Sequence, residues 1–432
     1  MFLQRLRTGE PDFETRFRAL LSRQQALEEK VQETVQKILS DIRNRGDVAL
    51  LDYTRRFDRL DLTAPSQLEI PRERLEQALA AISTEERQAL EIAAKRIAAF
   101  AERQKLSSWE MVDPLGNRLG ERITPLDRVG IYVPGGRAAY PSTVLMNAIP
   151  ARVAGVREII MVSPTPGGEV NELVLAAAAI SGVHRLFRIG GAQAVAALAY
   201  GTRTVPRVDK IVGPGNRYVA EAKRQLFGRV GIDTIAGPSE VVVVADRTAN
   251  PDWMVLDLFA QAEHDQDAQA ILISPEAELI DRVAERIAGR LPEMARRETI
   301  ATALKRHGAL IQVEDLQEAC RLVDRIAPEH LELAVAEPEA LLGEIRHAGA
   351  VFLGHHSAEV LGDYCLGPNH VLPTCGAARF ASPLGVYDFQ KRTTLSRCSP
   401  RGVKELARVA AILARREGLF AHALAAEARE KP

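Results

Sequence analysis

The chain has 432 residues, enough for roughly three average domains and a sizeable core. Apolar residues (46%) and charged residues (26%) occur in ordinary globular proportions, which excludes a disordered, collagen-like or fibrous protein. The 56 basic and 57 acidic residues nearly cancel, so no global field favours nucleic acid or an anionic membrane surface. We therefore expect no nucleic-acid partner and no membrane partner.

The N-terminal segment and the cysteines both indicate a cytoplasmic protein. The first seven positions already carry charge, and the segment lacks the apolar core of a signal peptide. No apolar run approaches the roughly 18–20 residues that span a bilayer. The four cysteines include no CxxC pair and are too sparse for a disulfide framework, so we expect reduced thiols.

Helical and strand patterns segregate along the chain. Apolar residues recur every three or four positions over residues 16–57 and 72–105, which predicts amphipathic helices. After Trp109, short β-branched runs alternate with glycine- and proline-rich turns and with alanine-rich stretches, which is typical of βαβ units and parallel sheets. The clearest predicted strands are 129–133, 158–163, 185–189, 210–212, 240–245, 270–274 and 350–353.

This pattern predicts an α/β protein with two Rossmann-like domains, largely parallel sheets, and helical segments at both termini. The densest run of βαβ units predicts an inserted domain at 132–235. The strands that follow are grouped with the helical front as a discontinuous domain, 26–131 with 236–381. Residues 1–25 and 382–432 are predicted to be helical terminal segments.

Two glycine-rich turns follow predicted strands. A glycine turn between a strand and a helix lets backbone N–H groups approach a phosphate. The run Gly213-Pro-Gly-Asn-Arg-Tyr places Tyr218 where the dinucleotide fingerprint requires its third glycine, and the run that begins at Gly190 is also incomplete. Ordinary turn geometry is the more frequent reason for such glycines, so they do not identify a nucleotide site by themselves.

Several polar residues have the chemistry of zinc ligands. Gln261 and His264 are three apart in a helix-forming stretch, which predicts one shared helical face. A glycine-punctuated loop carries Asp363 and His370, and the C-terminal segment carries Glu417 and His422. His264, Asp363 and His422 with an amide oxygen would suit zinc, but the same spacing is also typical of solvated surface residues.

A carboxylate and an imidazole stand side by side at Glu329 and His330, after Pro328. Adjacent side chains generally point in different directions, which suits two separate proton-transfer roles better than one shared proton. The alternative is an ordinary helix start, with proline and glutamate in its first turn.

Nine short motifs, in order along nearly the whole chain, resemble the zinc-dependent histidinol dehydrogenases. Any one of them is weak, whereas the ordered set is highly specific. They begin at Val129 (VGIYVPGGR), Gly190 (GGAQAVA), Val212 (VGPGN), Ala236 (AGPSEV), Gln261 (QAEHD), Ala327 (APEHL), Gly362 (GDY), Gly367 (GPNHVLPT) and Glu417 (EGLFAH).

The resemblance implies a four-electron oxidation of L-histidinol to L-histidine through histidinal, with two NAD reduced and one zinc ion per subunit. It implies zinc ligands at Gln261, His264, Asp363 and His422, and a catalytic pair at Glu329 and His330. It implies NAD contacts at Tyr132, Gln193 and Asn216. Substrate contacts would come from the zinc-site residues and His330, together with Ser239, His370 and Glu417.

The resemblance also implies a homodimer whose active sites are shared between subunits, with His422 as a plausible donor across the interface. Two alternatives stay open at the level of sequence. One is a paralogue that oxidises another amino alcohol or a hydroxy acid. The other is a zinc- or NAD-binding protein without turnover.

Overall fold

The computed structural model describes residues 3–22, 29–135 and 140–430 of the chain. Its helices are Phe13–Leu21 (α1), Glu29–Arg45 (α2), Asp47–Asp58 (α3), Arg72–Ala81 (α4), Thr84–Glu102 (α5), Pro141–Ala154 (α6), Glu172–Ser181 (α7), Gly191–Tyr200 (α8), Arg217–Leu226 (α9), Pro251–Ala262 (α10), Ala277–Arg290 (α11), Arg297–His307 (α12), Leu316–Ile326 (α13), Pro338–Leu342 (α14), Glu359–Tyr364 (α15), Pro400–Arg416 (α16) and Phe420–Glu427 (α17).

The strands are Gln4–Arg7 (β1), Glu69–Ile70 (β2), Trp109–Val112 (β3), Arg118–Pro125 (β4), Arg128–Tyr132 (β5), Glu158–Val162 (β6), Arg185–Phe187 (β7), Lys210–Val212 (β8), Gly231–Ile232 (β9), Glu240–Ala245 (β10), Gln269–Ser274 (β11), Ala309–Gln312 (β12), His330–Ala334 (β13), Ala350–Leu353 (β14) and Gln390–Arg397 (β15). They form two six-stranded sheets and one three-stranded sheet.

The first six-stranded sheet has the order β2-β7-β6-β5-β8-β9, and all neighbours except β2 and β7 run parallel. Helices α4–α7 cover one face and α2, α3, α8 and α9 cover the other. Its inner strands are apolar along most of their length because both faces are buried. Gly155 and Gly182, with left-handed φ of 89° and 84°, end α6 and α7 and direct the chain towards the next strand.

The second six-stranded sheet has the order β1-β12-β11-β10-β13-β14 and is parallel throughout. Helices α10–α12 pack on one face, and α1 and α13 pack on the other. Every residue of β10, β11 and β13 is buried, as expected for central strands of a sheet covered on both sides.

A C-terminal unit, defined here as β3, β4, β15, α16 and α17, stands apart from both parallel sheets. Its strands form an antiparallel sheet in the order β15-β4-β3, and α16 packs on α17. The N–H of Ser399 donates to Asn117 Oδ1 at 2.9 Å, which ties the start of α16 to the β3–β4 hairpin. Many large apolar side chains of this unit are exposed in the single chain: Trp109, Met111, Val112, Leu406, Val409, Ile412, Leu413, Leu419, Phe420 and Leu424.

The predicted α/β class with two Rossmann-like, largely parallel sheets is confirmed, and each of the seven predicted strands is present within two residues at either end. The predicted helical character of 382–432 is wrong at its start, because β15 pairs there with β4. The helix-start alternative for the Glu329–His330 pair is also wrong, since His330 begins β13.

The predicted grouping of residues 26–131 with 236–381 does not match the sheet membership. Strands β2 and β5 belong to the first sheet, and helices α2–α5 cover its faces. Residues 1–25 are not a separate segment either, because β1 pairs with β12 at the edge of the second sheet. The apolar stripes of the front helices show that they pack on a sheet but not on which one. None of the described helices is long and apolar enough to cross a membrane.

Candidate active site

The candidate active site lies where the chain crosses between the two parallel sheets. Residues 233–239 connect β9 of the first sheet to β10 of the second. Asn369 Nδ2 donates to Met146 O at 2.6 Å, and the N–H of Gly237 donates to Thr374 Oγ1 at 2.7 Å, so the segment around 369–374 bridges both sides of this crossing. The site residues gather at the amino ends of β10 and β13.

The predicted catalytic pair is buried and is held by a single residue of the neighbouring strand. His330 Nδ1 lies 3.1 Å from Glu240 O, and a carbonyl oxygen only accepts, so Nδ1 carries a proton and Nε2 is the nitrogen left to exchange a proton with a substrate. Glu329 Oε2 accepts the N–H of the same Glu240 at 2.9 Å. One peptide residue at the start of β10 therefore orients both the imidazole and the carboxylate.

Burial and neighbouring charges set the protonation of this pair. Burial raises the pKa of Glu329 to about 8, against the opposing pull of the His330 charge. For His330, burial disfavours the charged form, but the carboxylates of Glu359, Glu329 and Asp363 outweigh it and raise the pKa well above its usual value. The site thus holds a carboxyl whose pKa lies near neutral pH, which suits acid–base catalysis, beside an imidazole whose charged form the neighbouring carboxylates stabilise.

Three of the four predicted zinc ligands lie near this pair. Gln261 is fully buried in the last turn of α10, and Asp363, in α15, places Oδ1 3.6 Å from His330 Nε2. His264 follows the end of α10, with its N–H 3.3 Å from Gln261 O, and the charge of Asp363 acts on its ring. The predicted shared helical face is wrong in detail, because α10 ends at Ala262 and His264 belongs to the turn that follows.

Glu359, which the sequence did not single out, completes the buried group. Its ligand atoms and those of His330 and Asp363 all lie within 4.8 Å of one another, which is close enough to hold a metal ion. The hydrogen-bond network assigns the Gln261 amide the orientation in which its nitrogen donates to Glu359 Oε1 at 2.8 Å and Oε2 at 3.2 Å, because its oxygen would otherwise face only acceptors. Glu359 and Asp363 stand four apart in α15, a spacing that places both carboxylates on one helical face and that the sequence already contained.

The predicted substrate contacts divide into two groups. Ser239 directly precedes β10 and is partly buried, and His370 Nδ1 donates to Asp363 O at 2.9 Å. Both therefore lie at the same end of the second sheet as the buried pair. Glu417 and His422 lie instead on the surface of the C-terminal unit, and neither contacts the residues around His330 in the part of the chain that the structure describes.

The predicted NAD residues gather at the other sheet. The first sheet reverses its strand order between β5 and β8, the kind of switch point at which doubly wound sheets bind ligands. Tyr132 ends β5, and its hydroxyl accepts the N–H of Gly191 at 2.9 Å. Gln193 is buried in the first turn of α8, while Asn216 is exposed and caps α9 through bonds from two backbone N–H groups.

The turn after β8 leaves no room for a side chain. A Cβ on Gly213 would lie 2.1 Å from Tyr132 O, and its φ is 108°. The N–H of Gly213 donates to Asp233 Oδ2 at 2.7 Å, and Lys223 Nζ donates to Gly213 O at 3.0 Å, so a buried ion pair fixes this turn. Neither residue of this ion pair was predicted from the sequence. Gly136 and Arg137, at the end of the motif that begins at Val129, lie outside the described residues.

A nucleotide-binding type of sheet, next to a second sheet that carries a buried acid–base pair and potential metal ligands, defines an α/β oxidoreductase. A family model described as histidinol dehydrogenase matches residues 21–430. The chain therefore belongs to the histidinol dehydrogenase family.

Individual relatives agree with this assignment. Histidinol dehydrogenases from Pseudomonas aeruginosa and Aromatoleum aromaticum are 59% and 58% identical over 427 residues, covering 99% of this chain and 97% and 98% of those proteins. The solved structure of histidinol dehydrogenase from Elizabethkingia anophelis matches with a TM-score of 0.94 at 34% identity, covering 100% of this chain and 98% of that chain.

Proposed function

We propose that the protein oxidises L-histidinol to L-histidine through histidinal, with the reduction of two NAD. Family membership over residues 21–430 supports the reaction. The observation that carries the proposal is the buried Glu329–His330 pair, which Glu240 orients beside Gln261 and Asp363.

One zinc ion per subunit would be held by Gln261, His264, Asp363 and His422. The residues fit this role: the nitrogen of the buried Gln261 amide is engaged by Glu359, which leaves its carbonyl oxygen as a ligand, and Asp363 offers a carboxylate within the same group. Zinc, when bound, would supply an anchor for the imidazole and amine nitrogens of the substrate.

NAD would bind at the switch point of the first sheet through Tyr132, Gln193 and Asn216. NAD, when bound, supplies the hydride acceptor. The close approach of the Gly213 turn to Tyr132 supports this placement, because it lets the backbone at the switch point pack without a side chain between the two segments.

The two proton-transfer roles follow from the geometry of the pair. His330, whose Nδ1 donates to Glu240 O, would take the hydroxyl proton of histidinol at Nε2 in its neutral form, as hydride leaves the carbinol carbon. Glu329 would then remove a proton from the water that adds to histidinal, giving the gem-diol from which the second hydride leaves. Burial keeps the aldehyde away from competing reactions.

The active site would be completed in a homodimer. Glu417 and His422 are exposed on the C-terminal unit, away from the other predicted zinc and substrate residues, and the same unit exposes the large apolar side chains named above. Apolar surface of this extent is typical of a protein–protein interface. The C-terminal unit of one subunit would then bring Glu417 and His422 to the site of the other, alongside Ser239 and His370.

The sequence evidence for reduced thiols supports a cytoplasmic location.

The stoichiometry of the reaction tests this proposal. Purified protein with histidinol, NAD and zinc should give close to two NADH per histidine. One NADH with released aldehyde would contradict the four-electron reaction. Faster turnover of another amino alcohol would favour a paralogue, and zinc binding without any turnover would favour a non-catalytic role.

A further inference from the structure

Glu359 occupies a central place in the buried site. It is 3% exposed, and its own backbone N–H donates to Glu332 Oε1 at 2.7 Å, which fixes the start of α15. Its side chain contacts two groups of the proposed reaction: the Gln261 amide, at 2.8 and 3.2 Å, and His330 Nδ1, at 3.4 Å.

The contact with Gln261 decides which end of the amide can face a metal ion. An amide nitrogen has no lone pair to give, so only the carbonyl oxygen of Gln261 can be a ligand. In its ionised form, which the adjacent His330 charge favours, the Glu359 carboxylate is an acceptor only, and it therefore attracts the nitrogen end of the amide. With the nitrogen engaged by both oxygens of Glu359, the carbonyl oxygen points away from Glu359.

We propose that Glu359 is a positioning residue: it locks the Gln261 amide in the orientation that presents its oxygen to the metal. This inference rests on the proposed zinc site. The competing possibility is that Glu359 itself binds the ion, since its ligand atoms cluster with those of His330 and Asp363. Two contacts favour positioning. Both Glu359 oxygens accept from Gln261, and His330 Nδ1 is occupied by Glu240 O.

Zinc retention in two Glu359 variants tests the proposal. Glu359→Gln keeps an oxygen that can accept from the Gln261 amide, so zinc affinity, measured by competition with a chelator, should stay within about threefold of wild type. Glu359→Leu removes the acceptor, and affinity should fall about 10–100-fold, the usual effect of losing a residue that orients a metal ligand. Glu221→Gln is a matched control, since Glu221 is 1% exposed but contacts Arg224 and Gln225 beside the first sheet.

A double variant separates positioning from general damage. In Gln261→Glu, either side of the carboxylate presents an oxygen, so orientation no longer matters. Glu359→Leu should then cost little further zinc affinity in the Gln261→Glu background. An equal loss in both backgrounds would overturn the proposal. A loss of zinc affinity in Glu359→Gln as large as in Glu359→Leu would also overturn it. So would zinc that is retained by Gln261→Ala but lost by Glu359→Leu. Each of these results would make Glu359 a ligand or a purely structural residue.

A metal-free measurement keeps this inference distinct from the proposed function. In the apo protein, the side-chain amide protons of Gln261, assigned by their loss in Gln261→Glu, should exchange slowly in wild type and fast in Glu359→Leu. If wild-type protein bound no zinc, the proposed zinc site would fail while slow exchange would still support the orienting contact. Fast exchange in wild type would overturn it.

Discussion

A buried ion pair beneath the Gly213 turn links stability to the proposed NAD site. The side chains of Lys223 and Asp233 are 2% and 3% exposed, and each also bonds the backbone of Gly213. Lys223→Met would leave Asp233 as a buried charge without its cation, at a cost of about 3–5 kcal/mol. At about 2–4 °C per kcal/mol for a domain of this size, the unfolding midpoint should fall by about 6–20 °C.

Thermal unfolding followed by circular dichroism measures the loss, and steady-state kinetics measures its effect on the turn. Because the same turn leads into Asn216, we expect the KM for NAD to rise more than kcat falls. Lys210→Met is a control: the Lys210–Asp388 pair is more exposed, at 15% and 29%, and its removal should cost about 1 kcal/mol or less.

The double variant Lys223→Met/Asp233→Asn gives the stricter test. It leaves no buried charge, and the new amide oxygen can still accept the N–H of Gly213, so most of the lost stability should return. A midpoint shift for Lys223→Met no larger than that of Lys210→Met would refute the reasoning, as would a double variant no more stable than Lys223→Met alone.

Three further changes test the site, the core and the interface. Glu329→Gln should slow the oxidation of histidinal by about 10²–10⁴-fold while the first hydride transfer persists, as stopped-flow NADH formation would show; equal slowing of both steps would contradict its role. Burial raises the pKa of Asp58 to about 6, so the folded state loses stability as pH rises from about 4 to 6. In urea unfolding, Asp58→Asn should therefore raise the free energy of unfolding by about 1–2 kcal/mol at pH 8 and change it little at pH 3.5. Phe420→Asp should yield monomers, seen by sedimentation, with a reduced zinc content, seen by metal analysis. Val48→Asp is the control: Val48 is exposed to a similar extent but lies on α3, and its variant should change neither.

The strands were predictable because their signal is local. The apolar runs of β5, β6 and β10 are bounded by turn residues, which is enough to recognise them as buried parallel strands. The buried strand β13 was not recognised, because it carries His330 and Glu332. The short edge strand β2 and the exposed β15 lack such runs, and they exist only because a partner strand is present. The sequence therefore predicted the interior of the first sheet and the strands β10, β11 and β14 of the second. It missed β12 and β13 inside the second sheet and all three strands of the antiparallel sheet.

The candidate site shows the same division. Motif order predicted which residue types carry the chemistry, including the Glu329–His330 pair and Gln261. It missed Glu359 and the Lys223–Asp233 ion pair, because their roles depend on contacts with residues far away in the chain. His264 does not share a helical face with Gln261, since α10 ends two residues before it.

The sequence by itself determined the α/β class, the inner strands of the first sheet and the family, because hydrophobic period, turn residues and ordered motifs are all properties of short segments. The tertiary structure alone decided that the front helices cover the first sheet and that Glu240, 90 residues away, orients His330 through its backbone carbonyl. It alone brought the carboxylate of Glu359 within hydrogen-bond distance of the Gln261 amide. Backbone groups are the same in every residue, so no residue type marks them as partners; only the packing of β10 against β13 brings that carbonyl to the imidazole.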